Sequence, residues 1–287
     1  MAGSALAVAA DSGGAGHPGS RLLNAIIVTA DDLGISPGVN RGVLDSYQNG
    51  VVRSASLLAT FPDSAEGAAL SREERGLEIG LHIDLVGGRP VLDPAKVRSL
   101  VGPDGRFHRL ADFTVRLFTG RIRTADLAAE IRAQAALART WGIDPRAWDS
   151  HQHTHLMPPV ARVVAHIARE EGVRYLRRAN APRLAAPVKA QLLALSTLAD
   201  RFVLRGLPGN DWFIDLSALP QRPDPAGIAL YAAYRGVGEL IAHPGYPDDA
   251  LRATGDGLVL QRHDDLMVLS DPLLRSALGD TIRWRVA

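Results

Sequence analysis

The chain has 287 residues, 46% hydrophobic and 22% charged, and a formal net charge of +1. That length buries a full core, most simply as one domain. The near-zero charge gives no field to recruit nucleic acid or an anionic membrane, and there is no apolar run of about eighteen residues to make a spanning helix. With no cysteine, disulfides and thiolate metal sites are excluded, and any metal centre must use His, Asp and Glu.

Residues 1–20, MAGSALAVAADSGGAGHPGS, lack a basic start and carry only a short apolar run, Ala5 to Ala10. They read as a flexible leader rather than an export signal. The expectation is a cytoplasmic protein with one folded domain over residues 21–287. The stretch from Asn24 to Ala30, NAIIVTA, predicts a strand buried on both faces. A helix follows from Pro37 to Gln48, closed by Asn49-Gly50. SASLLAT predicts a second strand, and DSAEGAALSREE a helix capped by Asp63 and stopped near Gly76. LEIGLHIDL is the third strand and carries His82. Residues 86–123, punctuated by Gly and Pro, predict a loop-rich excursion of the kind that often covers an active site.

TADLAAEIRAQAALARTWG then predicts an amphipathic helix with Leu127, Ile131, Gln134 or Ala135, Ala138 and Trp141 on one side. AWDSHQHTH is a strand running into a His-rich turn. Pro158 and Pro159 open a helix that Gly172 ends. VRYLRRAN, DWFIDL, VGELIAHPG and DTIRWRV are further strand candidates. Short strands alternating with helices indicate an α/β protein with parallel strands. Asp31, Asp32, His82, His151 and His243 all lie in or just past the C-terminal part of a predicted strand, the edge where α/β folds bind ligands. Several strands delivering polar groups to one point favour a single-domain (β/α) barrel, complete or distorted.

Two adjacent carboxylates at the end of a buried strand are costly without a partner. A metal ion supplies one. Strand alternation would put His151, His153 and His155 on one face, and a carboxylate with two imidazoles is a common catalytic donor set. Each feature has a plainer alternative: His82 as a satisfied core histidine, the HQHTH run as a surface tract, the Asp pair as a helix cap. Taken together these require buried polar groups with no purpose at separate strand ends. In a metal-dependent hydrolase one aspartate binds the ion and its neighbour takes a proton from water. His243, in AHPGY, suits donation of a proton to the leaving group.

TADDLGISPGVNRG, RSASLLAT, IGLHIDLVGGRPV, DSHQHTHLMP and AHPGYPDD span Ile26 to Asp249, and in that order they resemble the YdjC-like carbohydrate deacetylases, which include chitooligosaccharide deacetylases and a hopanoid-associated branch. The resemblance implies a distorted barrel that hydrolyses the acetamido group of an N-acetylated sugar or glycoconjugate. It implies Asp32, His82 and His151 as ligands of one divalent ion, Zn²⁺ or Mg²⁺, with Asp31 as base and His243 as acid. Asp149, two residues before His151, would orient a ligand imidazole, or is a simple strand-end polar residue. His153, His155 and Arg177 are candidates for support or for substrate, although an exposed arginine is the ordinary reading of Arg177. Leu33 and Gln152 depart from the commoner family residues without touching the ligand set. The segment from Leu184 to Pro225 matches nothing in the pattern, and specificity is expected to lie there. Trp212, Phe213, Tyr231 and Tyr246 suit sugar stacking or core packing. Two other functions fit the same residues: an O-acyl esterase, and a glycan-binding protein without catalysis. Oligomeric state is open, a homo-oligomer included.

Overall fold

The computed structural model describes residues 24–178, 203–219 and 224–286. The 1–20 leader and most of the 184–225 segment lie outside them. Strands β1 (Ala25–Leu33), β2 (Ser54–Leu57), β3 (Glu78–Ile83), β4 (Ala147–Ser150), β5 (Tyr175–Leu176), β6 (Trp212–Asp215) and β7 (Val237–Ala242) form one parallel sheet ordered β5-β4-β3-β2-β1-β7-β6. The sheet curls into a distorted barrel of the α/β class. Among the described residues no ladder pair joins β5 to β6. Asn210 bridges that seam instead: its Oδ1 accepts the Arg178 N–H at 2.8 Å, and its Nδ2 donates to Arg178 O at 2.7 Å and Trp212 O at 3.0 Å. Leu176 N also donates to Pro208 O at 2.9 Å.

β8 (Ile282–Arg283) pairs with Ile26 and Ile27 of β1. Since β7 occupies one edge of β1 from Ala25 to Ala30, β8 lies on the β2 side, below the point where β2 begins to pair at Thr29. The sequence AIIVTADDL shows why β1 is central. Ile26, Val28 and Ala30 face the helices and join the main core with Val39 and Val43. Ile27, by contrast, packs with Ala147 and Tyr175 inside the barrel. Thr29 and Asp31 follow on that inner face, so the interior turns from apolar to hydroxyl to carboxylate toward the C-terminal edge.

Helices α1 (Pro37–Gln48), α2 (Ser64–Arg72), α3 (Leu110–Phe118), α4 (Thr124–Thr140) and α5 (Pro158–Glu170) follow the first four strands. α6 (Pro225–Tyr231), α7 (Asp249–Thr254), α8 (Gln261–Leu269) and α9 (Pro272–Leu278) lie in the last third. α1 matches its predicted span, with the Ser36 Oγ accepting from Val39 N at 3.2 Å and Pro37 opening the first turn. Asp63 precedes α2 as expected, but its side chain makes no cap bond; its backbone (φ −93°, ψ 9°) is not the extended conformation that aims a capping carboxylate at the helix.

α3 is a helix where an irregular excursion was expected. Phe113 and Leu117 are buried one turn apart and dock it after the Gly/Pro-rich stretch ends. α4 buries Leu127, Ile131, Gln134, Ala135 and Ala138, and also Glu130. Glu130 accepts from Val91 N at 2.9 Å and Leu92 N at 3.2 Å, pinning the loop after β3. No helix among the described residues is long and apolar enough to cross a membrane.

Asn210→Ala leaves buried groups on both sides of the β5–β6 seam without partners. It is expected to lower the unfolding free energy by about 1–3 kcal/mol, read from urea denaturation.

Candidate active site

β1 ends in two carboxylates that are both about 1% exposed. In a regular strand neighbouring side chains point to opposite faces. Asp32 has φ 67°, and the β1–β2 register shifts between Ala30 and Leu33. This left-handed residue, a conformation Asp tolerates better than most, turns the second carboxylate back to the buried cluster that the first one faces. The loop beyond is held by Asn40, whose Oδ1 accepts from Gly34 N at 2.7 Å.

Asp32 Oδ1 lies 2.9 Å from His151 Nδ1 and 3.3 Å from His82 Nε2, and its Oδ2 accepts from Arg262 Nη2 at 2.7 Å. Burial alone would raise this carboxyl's pKa, but His151 and Arg262 hold it well below the usual range. His82 Nδ1 is 2.6 Å from Asp149 Oδ1, which leaves Nε2 toward Asp32. The Asp149 Oδ2 in turn receives Ser56 Oγ at 2.6 Å, Arg177 Nη2 at 2.8 Å and Arg285 Nη1 at 2.9 Å.

Asp31 is clamped by Arg177, Nη1 to Oδ2 at 2.7 Å and Nη2 to Oδ1 at 2.8 Å. The same Nη2 reaches Glu239 Oε1 at 3.0 Å. Thr29 Oγ1 and Tyr175 Oη each donate to Glu239 at 2.8 Å. Arg177 is fully buried, not solvated, and its guanidinium is taken up by three carboxylates. The expectation of an exposed arginine is thereby corrected: the acidic barrel interior draws it in.

The donor chemistry fits a divalent ion. One carboxylate and two imidazoles, Asp32, His82 and His151, bring ligand atoms within 4.8 Å of one another, as in catalytic sites with an open position. Burial works against charging His82, yet Asp31 and Asp149 push its pKa up to about 10. His151, despite burial, is raised by Asp32. The cluster therefore favours positive charge at the imidazoles, and a cation can supply it in place of protons. Asp31, His82 and Asp149 also converge, but the Arg177 guanidinium already lies against both carboxylates there.

The three histidines of HQHTH do not share a face. β4 ends at Ser150, and residues 151–156 coil into a tight turn with left-handed backbone at Gln152 (φ 51°) and His153 (φ 56°). Alternation ends where the strand ends. His151 meets Asp32. His153 lies edge-on to Phe213, 5.3 Å between centroids, with Nε2 3.6 Å from Asp215. His155 is buried: its Nε2 donates to the Arg177 carbonyl at 3.0 Å and its Nδ1 is 2.5 Å from Ser150 Oγ. Burial pushes its pKa down to about 3.

His243 follows β7 one place beyond the Ala30–Ala242 pair, level with Asp31. Its N–H donates to Asp265 Oδ2 at 2.8 Å, and its Nδ1 is buried without a hydrogen bond among the described residues. Trp212 and Phe213 are buried; Tyr231 and Tyr246 are half-buried.

Sequence reasoning missed Glu239, Arg262, Arg285 and Ser56. Glu239 was detectable, because a charge inside the apolar run VGELIA needs a partner. The arginines carry no such mark among so many others.

A parallel barrel with Asp, His and His at the ends of β1, β3 and β4 defines an α/β-barrel protein with a candidate cation centre. The YdjC-like protein family model matches residues 25–280. The chain is 35% identical to a carbohydrate deacetylase of Geobacillus stearothermophilus, over 88% of this chain and 92% of that protein. It is 31% identical to the Homo sapiens carbohydrate deacetylase, over 91% and 88%. A solved protein of Enterococcus faecalis has the same fold, with TM-score 0.73 and 24% identity over 89% of this chain and 94% of that one. The chain belongs to the YdjC-like family.

Below about pH 6.5 the unfolded chain protonates His155 while the folded one does not, so stability falls as pH drops. His82 acts in the opposite sense. Its contribution is full below about pH 6.5 and is lost as pH rises through about 10. Through these two histidines the metal-free protein is expected to lose stability on either side of about pH 6.5, by at most about 1.4 kcal/mol per pH unit from each on its own side. Urea unfolding between about pH 5 and 9 measures both limbs. A saturating divalent ion should remove the alkaline limb, because ligand imidazoles are neutral.

Proposed function

We propose that the protein is a metal-dependent carbohydrate N-deacetylase, releasing acetate and a free amine from an N-acetylated sugar. The observation that carries this reading is the convergence of Asp32, His82 and His151 beside a second, separately clamped aspartate. The names of the relatives in Geobacillus and Homo sapiens supply the substrate class.

Asp32, His82 and His151 would hold the divalent ion, and an ion there lowers the pKa of water and polarises the acyl oxygen. Asp31 takes the proton from the attacking water. Its two contacts with Arg177 fix the plane of the carboxylate and still leave each oxygen a lone pair for that proton. Asp149 fixes the ring of His82 through Nδ1, so that Nε2 is the atom presented to the centre. His243, held by its backbone to Asp265 and with Nδ1 unengaged, protonates the departing nitrogen. An amine leaves poorly as its anion, so this step matters for an amide and little for an activated ester.

Acetate release from N-acetylglucosamine oligomers is expected with Zn²⁺ or Mg²⁺ and should stop on chelation. Turnover of O-acetyl esters alone would replace the amide reading with an esterase. Asp31→Asn should keep the ion and lose about 10²–10⁴-fold in kcat; loss of bound metal along with activity would make Asp31 a ligand. His243→Ala should lose the amide reaction while hydrolysing a nitrophenyl ester almost normally, if the wild type accepts that ester. Equal loss on both substrates would make His243 a positioning group.

A further inference from the structure

Arg285 lies just beyond β8, whose pairing with the start of β1 puts this segment at the barrel end opposite the centre. Its guanidinium is nevertheless fully buried. Nη1 donates to Ser56 Oγ at 3.0 Å and to Asp149 Oδ2 at 2.9 Å, Nη2 donates to Ala55 O at 2.8 Å, and Nε reaches Glu78 Oε1 at 3.2 Å. We propose that Arg285 is a positioning residue for the metal centre: it fixes Asp149, which fixes the imidazole of His82. This rests on the reading of Asp32, His82 and His151 as metal ligands.

Three observations carry the inference. Asp149 uses one oxygen on His82 and the other on Ser56, Arg177 and Arg285. Of those donors, the Arg177 guanidinium is divided among Asp31, Asp149 and Glu239, so it does not define the orientation of Asp149 alone. Second, Arg285 sets the direction of the Ser56 hydroxyl. That oxygen accepts from Nη1, which leaves its proton for Asp149 Oδ2. Third, the barrel wall carries no side chain where the guanidinium passes. A Cβ on Gly80, two residues before His82 on β3, would stand 2.4 Å from Arg285 Nη2 and 2.5 Å from the Ala147 carbonyl oxygen of β4. The strand that delivers the ligand thus omits a side chain where the arginine passes, and the fork spans β2, β3 and β4 from beneath.

The test uses the full chain stripped of metal, titrated calorimetrically with Zn²⁺ in the wild type, Arg285→Met and Arg285→Lys. Loss of a carboxylate partner to a ligand imidazole typically weakens metal binding about 10–100-fold. One link further out, Arg285→Met is expected to weaken Zn²⁺ binding by roughly 3–10-fold. In parallel, kcat should fall with KM unchanged, because Arg285 touches no substrate. Wild-type affinity in a folded Arg285→Met overturns the inference. If that variant does not fold, Arg285→Lys decides, because a single ammonium cannot hold Ser56, Asp149 and Ala55 together: weaker Zn²⁺ binding supports the role, and unchanged binding overturns it. A wild type that takes up no Zn²⁺ instead brings down the reading of the centre itself, and this inference with it.

Discussion

The Arg177 guanidinium, buried between Asp31, Asp149 and Glu239, is the contact on which the rest of the interior depends. Three carboxylates inside a barrel cannot stay ionised unless paired and hydrogen-bonded. Removing one member of such a cluster typically costs about 3–5 kcal/mol, because the others are left buried and uncompensated. Two of the three acids then take further fixed partners. Asp31 is held at both oxygens, Glu239 takes Thr29 and Tyr175, and Asp149 takes Ser56 and His82. The geometry at the mouth is therefore inherited from charge pairing below it.

That arrangement gives the two adjacent aspartates different surroundings. Asp31 meets one arginine face-on, and Asp32 meets two imidazoles and Arg262. The second of the two, Asp32, is itself the left-handed residue. Two carboxylates with distinct partners can take distinct chemical roles although they are neighbours in the chain.

Much of this was legible in the sequence. Strands over NAIIVTA, LEIGLHIDL and VGELIAHPG declared themselves by apolar runs ending in polar groups, and the gathering of those ends indicated a barrel. Helix α1 was bounded by Pro37 and Asn49-Gly50 through local rules alone. What escaped was non-local or conformational. The turn at HQHTH was legible, but strand alternation put its three histidines on one face, whereas Gln152 and His153 adopt left-handed backbone that no spacing rule announces. Arg177, Arg262 and Arg285 look like other surface arginines until the fold puts carboxylates beside them. α3 is short and follows a Gly/Pro-rich stretch, and two buried side chains outweigh a weak local signal.

The same pairs carry a consequence for how the chain assembles. Asp31 and Asp32 come early and Asp149 near mid-chain, Arg177 follows soon after it, and Arg262 and Arg285 come late; Asp32 and Arg262 are 230 residues apart. A chain emerging from the ribosome exposes its acidic strands long before the matching cations exist. The N-terminal strands cannot bury those acids cheaply while they wait. Closure of the interior is tied to the arrival of the last third of the protein, a topology rich in distant contacts and slow to fold.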